Sequence, residues 1–255
     1  MIIATFNANS LRMRIETVLQ WLEKNKPDIL CVQETKVQDE DFPTDAFEAC
    51  GYEYAFKGQK KYNGVALFSR DAISEVSFGL DSKPQDEARI ITAMIGDITV
   101  VNTYIPQGVS PDSDKFTYKL EWFKRLRGYF ERNFSPDEPV IWLGDMNVAL
   151  DERDVHNPEG LLGHVCYCPE VWQAFKDVSQ WGFEDVFRNQ CQEGAHYTFW
   201  DYRAGALQKN RGWRLDYIMA TKPLAARCTR CWIDKQPRMT IKPSDHTFLA
   251  AEFDL

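Results

Sequence analysis

Val140-Ile-Trp-Leu-Gly-Asp-Met-Asn147 is the stretch whose reading decides the fold. Four large apolar residues in succession predict a short strand buried on both faces, the pattern of a sheet covered on both sides. Gly144 then allows the backbone to turn at the strand's C-terminal end. Asp145 and Asn147 follow at once. Ligands bind outside the carboxyl ends of strands in open sheets, so an acid and an amide two residues apart at that point face a cleft. A solvated Asp-x-Asn turn has the same sequence, and the stretch gains meaning only from its company.

That company is spread along the chain. Residues 2–6 read as a strand that ends on Asn7, and Ser10 then reads as the cap of a helix with Ile15, Val18, Leu19 and Leu22 on one face. After Pro27 a second apolar strand, residues 28–33, stops at Glu34. Residues 52–56, 65–69 and 73–78 predict antiparallel strands, with a basic hairpin tip at 57–64. Lys60, Lys61 and Tyr62 on that tip suit a phosphate chain or an ordinary polar turn equally. Residues 89–95 and 98–104 form a hairpin around Gly96-Asp97, and its second strand ends on Tyr104. An amphipathic helix at 116–134, a long loop at 151–169, a helix at about 169–181 and strands opening at 212–217, 226–233 and 248–253 complete the chain. Meandering strands broken by a few helices predict an α/β sandwich on two packed sheets.

The 255 residues, 44% of them hydrophobic, allow a substantial core and read as one domain over 1–255. No run of eighteen apolar residues suggests a membrane span, and the N-terminus reads as a strand rather than a signal peptide. Seven scattered cysteines, an odd count, fit a reducing cytoplasm. The net charge of -8 hides an asymmetry: residues 203–242 hold ten Lys or Arg and two Asp, a local +8, which leaves -16 for the remainder. Such a division suits an enzyme that grips a phosphate backbone on one surface and gathers carboxylates elsewhere, although a solvated basic face would look the same.

Collected, the polar residues at strand ends are Asn7, Glu34, Tyr104, Asp145, Asn147, Asp216, Asp245 and His246. They lie in the words T-F-N-A-N-S-L-R, C-V-Q-E-T-K, N-G-V-A, T-Y-I-P-Q-G, G-D-M-N, Y-T-F-W-D-Y-R, N-R-G-W-R-L-D-Y and K-P-S-D-H. In kind and order, these words resemble exonuclease III and the abasic-site endonucleases of the endonuclease/exonuclease/phosphatase superfamily, over essentially the whole chain. The resemblance implies a four-layer α/β sandwich of the deoxyribonuclease I type, two packed mixed β-sheets flanked by helices. It also implies a Mg²⁺-dependent DNA repair nuclease, with Mn²⁺ able to substitute. Such an enzyme cuts the phosphodiester 5′ to an abasic site, leaves a 3′-hydroxyl and a 5′-deoxyribose phosphate, and trims 3′ ends as a 3′-to-5′ exonuclease or phosphodiesterase.

The chemistry of the residues agrees with that expectation. Asn7, Glu34 and Asp245 are hard oxygen ligands, few enough to leave Mg²⁺ room for water and phosphate. Asp145 is placed to activate water, Asn147 to donate to the phosphoryl group, and His246 to bond a non-bridging oxygen with Asp216 fixing its ring. Tyr104 is left as a donor to phosphate or a phenolate. Asp145, Asn147 and His246 offer a seat for a second ion, which leaves one or two metals open. By the resemblance, Phe199, Trp213 and Leu215 line an apolar pocket for a flipped-out baseless sugar, although strand residues of this kind are more often core. Asn9, Arg12, Tyr62, Gln107, Arg203 and Arg214 would contact the DNA.

Three departures are visible: Phe248 stands where the family's last word usually has proline, Asn63 where serine is common, and Ser10 where glycine is common. Cys166-x-Cys168 and Cys228-x-x-Cys231 have zinc-pair spacing, but read as buried or free thiols unless the two pairs meet. The expected partner is duplex DNA with abasic sites or 3′ blocks, bound by a cytoplasmic monomer, nucleoid-associated if prokaryotic. The rival readings are a phosphodiesterase or phosphatase acting on a phospholipid or inositol phosphate, and a non-catalytic nucleic-acid-binding homologue. Trp213 and its neighbours count against the first, the filled catalytic positions against the second.

Overall fold

The computed structural model describes residues 1–81 and 87–255. One six-stranded sheet is built from β1 (Ile2–Asn7), β2 (Ile29–Gln33), β3 (Glu53–Lys57), β4 (Val65–Ser69), β11 (Cys228–Asp234) and β12 (Phe248–Phe253), in the order β11-β12-β1-β2-β4-β3. The other contains β5 (Ile73–Phe78), β6 (Ile90–Ile95), β7 (Ile98–Tyr104), β8 (Val140–Asp145), β9 (Phe183–Asp185) and β10 (Asp216–Thr221), in the order β5-β6-β7-β8-β10-β9. The helices are α1 (Leu11–Asn25), α2 (Thr44–Glu48), α3 (Asp114–Asn133), α4 (Pro158–Leu161), α5 (Pro169–Ser179), α6 (Val186–Gln190) and α7 (Lys222–Ala225).

Alternation along β8 shows why its apolar run is unbroken. Ile141 and Leu143 point between the sheets, where they meet Ile3, Ile29, Leu67 and Val100, while Val140 and Trp142 point outward into a core with Trp122, Phe123 and Phe175 from α3 and α5. On the far side, Phe6, Leu30 and Phe68 pack against Val18, Trp21 and Leu22 of α1 and Phe47 of α2. Three apolar layers therefore separate four layers of structure, the deoxyribonuclease I-like sandwich expected from the sequence.

The two parallel pairs set the position of the site. β1 runs beside β2 and β7 beside β8, so Asn7 and Glu34 leave one sheet at the same end, while Tyr104 and Asp145 pair in register at the edge of the other. β10 is antiparallel to β8, which puts its first residue, Asp216, directly opposite Asp145. A buried polar latch beneath this edge joins the sheets: Gln33 Nε2 donates to Asn102 Oδ1 at 2.8 Å, and Asn102 Nδ2 donates to the carbonyls of Val32 and Ala66. Buried amides are costly unless bonded, so the latch favours one register of sheet on sheet.

Local differences from the sequence reading have physical causes. Gly144 lies inside β8 rather than at a turn; its φ is +134°, and a Cβ there would collide with the Thr103 carbonyl of β7. Ser10 occupies the position before α1 without a side-chain cap, at a φ of 92°, which accounts for glycine being common there. Phe248 opens β12 and stacks between Phe6 and Trp21 at 4.0 and 4.2 Å, so the proline's place is filled by core. β9 and α6, too short to carry a clear period, were not expected, and loop 151–169 contains α4. Among the described residues no helix is long and apolar enough to cross a membrane.

Candidate active site

Left-handed backbone concentrates where the strands end. Asn9, Ser10, Glu34, Lys36 and Asn147 all have positive φ, and for residues other than glycine this conformation costs about 1–2 kcal/mol each. Main-chain bonds from Ser10 N to Glu34 O (2.8 Å) and from Leu11 N to Thr35 O (3.0 Å) tie the loops after β1 and β2 together. The result is a cleft of about 220 Å³ lined by Asn9, Glu34, Lys36, Tyr104, Gln107, Asp145, Asn147, Phe199, Leu215, Asp245 and His246.

At its floor Asp145 Oδ2 accepts from Asn7 Nδ2 at 2.8 Å, and Asp145 Oδ1 accepts from the Asn147 backbone N–H at 2.9 Å. His246 Nδ1 lies 2.8 Å from Asp216 Oδ2, and its Nε2 is 3.7 Å from Asp145 Oδ2. Burial pushes the Asp145 carboxyl up, to about 7, against the lowering pull of His246. Burial works against charge on His246 too, but Asp216 and Asp145 outweigh it and hold the ring protonated, with a pKa of about 10. The second oxygen of Asp216 is buried without a protein partner, while the amides of Leu215 and Asp216 are anchored on Thr198 Oγ1.

The side-chain amides brace the acids. Asn7 Nδ2 bridges Glu34 Oε1 and Asp145 Oδ2, each at 2.8 Å, while its Oδ1 accepts from Asn9 N. Its oxygen is thus turned to its own loop, and its nitrogen spaces two acids. Asn147 Nδ2 is bonded to Ile105 O at 2.9 Å and Asp145 Oδ2 at 3.3 Å, which leaves no free hydrogen for a phosphoryl group. Tyr104 is half-buried beside Glu34 and Asp145; desolvation of its hydroxyl first and these carboxylates second push it well above the usual phenol range, so the phenolate alternative is disfavoured.

Glu34 and Asp245 meet across a chain of contacts: Glu34 Oε2 to Lys36 Nζ (2.8 Å), Lys36 Nζ to Asn9 Oδ1 (2.5 Å), and Asn9 Nδ2 to Asp245 Oδ1 (3.0 Å). Glu34 and Asp245 are two carboxylates on one cleft, oxygens of the kind a hard divalent cation takes in small number; Lys36 pairs with Glu34 alone, and a cation bound there would have to displace its ammonium. The other acid group, Asp145, Asp216 and His246, has its ligand atoms within 4.8 Å of one another. It already holds a positive charge on His246, which disfavours a second cation there. Lys36 was missed by the sequence reading, although it closes the word C-V-Q-E-T-K. Arg238 was missed too: it is buried, donates to the carbonyls of Ser244 and Trp200, and so fixes the chain next to Asp245.

Of the expected substrate contacts, Phe199 and Leu215 line the cleft. Trp213 is not part of that lining; it pairs with Phe199 through backbone bonds, with the His164 ring 4.9 Å from its own. A longer groove of about 510 Å³ shares Glu34, Lys36, Tyr104 and Gln107 with the cleft and runs on past Tyr62 and Arg89. Arg12 and Arg203 are exposed. Arg214 is not a DNA contact: it is 1% exposed and bonded to Asp154 at 2.7 Å and Asp185 at 2.8 Å, since a buried guanidinium requires such partners. With Arg238 it subtracts two cations from the basic surface expected of residues 203–242. All seven cysteines are free, and among the described residues none joins a group able to hold a metal, so the zinc reading fails.

An ion-paired histidine faces a buried carboxylate at the rim of two stacked sheets, an arrangement suited to hydrolysis of a phosphate ester. The chain belongs to the Endonuclease/Exonuclease/phosphatase family, whose profile matches residues 4–246. It is 34% identical to exodeoxyribonuclease III of Haemophilus influenzae over 98% of both chains. In three dimensions it is similar to an AP endonuclease from Archaeoglobus fulgidus, with a TM-score of 0.98, 48% identity and full coverage of both chains. It is also similar to the 3′ phosphatase NExo from Neisseria bound to a product DNA hairpin, with a TM-score of 0.96, 35% identity and full coverage of both.

Proposed function

We propose that this protein is a Mg²⁺-dependent DNA repair nuclease that hydrolyses the phosphodiester 5′ to abasic sites in duplex DNA and processes 3′ ends. The reading is carried by Asp145 and the His246–Asp216 pair opening onto the same cleft as the apolar side chains of Phe199 and Leu215. The names of its relatives, which include an exodeoxyribonuclease III and an AP endonuclease, support the substrate class.

Asp145, held by Asn7 and Asn147, takes the proton of the attacking water. Protonated His246 donates from Nε2 to a non-bridging phosphate oxygen and meets the charge that grows there, while Asp216 fixes its ring. The neutral Tyr104 hydroxyl donates to the same phosphate. Glu34 and Asp245 would hold the Mg²⁺, or Mn²⁺ in its place, which when bound neutralises phosphoryl oxygens as a Lewis acid. Phe199 and Leu215 exclude water and favour a sugar without a base, for which extrusion costs least.

Removal of 3′ phosphates and 3′ residues is the second emphasis, supported by the similarity to a structure named as a 3′ phosphatase. Duplexes carrying either a single abasic analogue or a 3′-phosphate, incubated with Mg²⁺ or with EDTA, separate the two. Metal-dependent incision at the lesion supports the first activity and inorganic phosphate release the second. Inactivity on every DNA, with turnover of an inositol phosphate, would refute both.

A further inference from the structure

Lys119 lies in the middle of α3, 0% exposed, and makes no ion pair among the described residues. Burying an ammonium is expensive, and its three hydrogens must all be used. They are: Nζ donates to Val165 O at 2.6 Å, Asn147 O at 2.7 Å and Gln107 O at 3.0 Å. Those carbonyls belong to three separate loops, each of which supports the site. Gln107 lines the cleft after β7. Asn147, in left-handed conformation after β8, grips both oxygens of Asp145. Val165 follows His164, whose ring lies against Trp213. A residue needed only to fill space in α3 would be apolar, like Trp122, Phe123 and Leu126 around it.

We propose that Lys119 is a positioning residue: its ammonium joins the three loops through their carbonyls and thereby sets the angle at which Asn147 presents Asp145. The proposal rests on the reading of Asp145 as the base for phosphodiester hydrolysis. Loss of the cation would let the Asn147 loop relax, and a displacement of about 1 Å in a reacting group costs on the order of 10²-fold in rate.

The test compares K119M, which keeps the length of the side chain, with K119Q, which keeps an N–H donor without the charge, on the abasic duplex with Mg²⁺. Both are assayed well below their melting temperatures and with near-ultraviolet circular dichroism matching the parent. The expected result is a kcat lowered about 10²-fold in K119M with KM within about threefold, and partial recovery in K119Q. A kcat within about threefold of the parent in folded K119M, or a loss confined to KM, would overturn the proposal. Hydrogen exchange at the Asn147 amide reads the same idea without activity: protection falls at least tenfold in K119M while the amides of β12 are unchanged. Unchanged Asn147 protection refutes the role of Lys119 even if the parent cleaves no DNA, an outcome that would refute only the functional reading. If K119M does not fold, the same comparisons on K119R and K119Q decide the matter.

Discussion

His246 Nδ1 lies 2.8 Å from Asp216 Oδ2, with both side chains buried and a second carboxylate, Asp145, 3.7 Å from the opposite ring nitrogen. An imidazole between two aspartates is held as imidazolium, and its Nε2–H points to the cleft. Replacing Asp216 by Asn removes one of the charges that keeps the proton there. D216N is expected to lower kcat by about 10²–10³ with little change in KM, as for loss of an oriented donor. The His246 ring pKa should fall in parallel when followed by NMR; an unchanged pKa would refute the assignment.

The same shifts give stability a definite pH dependence. The pKa of His246 rises on folding from 6.5 to about 10, so its contribution to stability is complete below pH 6.5 and is lost as pH rises toward 10. Asp145, raised from 3.8 to about 7, slopes in the same sense at lower pH. The melting temperature of the metal-free protein is expected to fall between pH 6.5 and 10, and the slope to flatten in H246Q. Hydrolysis needs Asp145 ionised, so the single-turnover rate should rise with pH through about 7.

Arg214 provides a test of burial against charge. R214M leaves Asp154 with Arg188 as its one ion-pair partner and takes the guanidinium from Asp185 Oδ2, at an expected cost of about 3–5 kcal/mol in denaturant titration. The salt dependence of DNA binding by the folded fraction should not change. R203A should instead leave stability intact and reduce the salt slope by about one counter-ion. The reverse pattern would restore Arg214 to the interface.

Phe199 and Leu215 bear on substrate choice. F199A enlarges the apolar side of the cleft and removes the ring that lies 5.0 Å from that of His246, but it leaves the polar contacts of His246 with Asp216 and Asp145 in place, so incision at an abasic analogue is expected to slow by about tenfold or more while 3′-phosphate release changes by less than threefold. Equal losses on both substrates, measured side by side, would show that Phe199 serves the chemistry rather than the sugar.

Much of this was legible in the sequence because strand ends are legible. The apolar runs ending at Asn7, Glu34, Tyr104 and Asp145 give both the two-sheet sandwich and the edge where the polar groups gather. Orientation was not legible. Whether the amides of Asn7 and Asn147 face a ligand or brace a carboxylate depends on how the loops after β1 and β8 turn, left-handed at Asn9 and Asn147, and on which carboxylates the fold brings to them. Arg214 was misread because a basic segment does not reveal which cation meets acidic partners 29 and 60 residues away. Lys36 lay inside a recognised word, unread because its effect comes from folding back onto Glu34 and Asn9. Arg238 and Lys119 act through main-chain carbonyls, to which composition and spacing are blind.

The most direct measurement is the cleavage rate of an end-labelled duplex with one abasic analogue, taken for the parent and for D145N, with Mg²⁺ and with EDTA, alongside the affinity of each for that duplex. The parent should incise at the lesion only with metal, and D145N should lose at least about 10³-fold in rate while binding within about tenfold, because backbone contacts dominate affinity. Cleavage by folded D145N at a rate near the parent's, or metal-independent cleavage, would contradict the role given to Asp145 and to the cleft built around it.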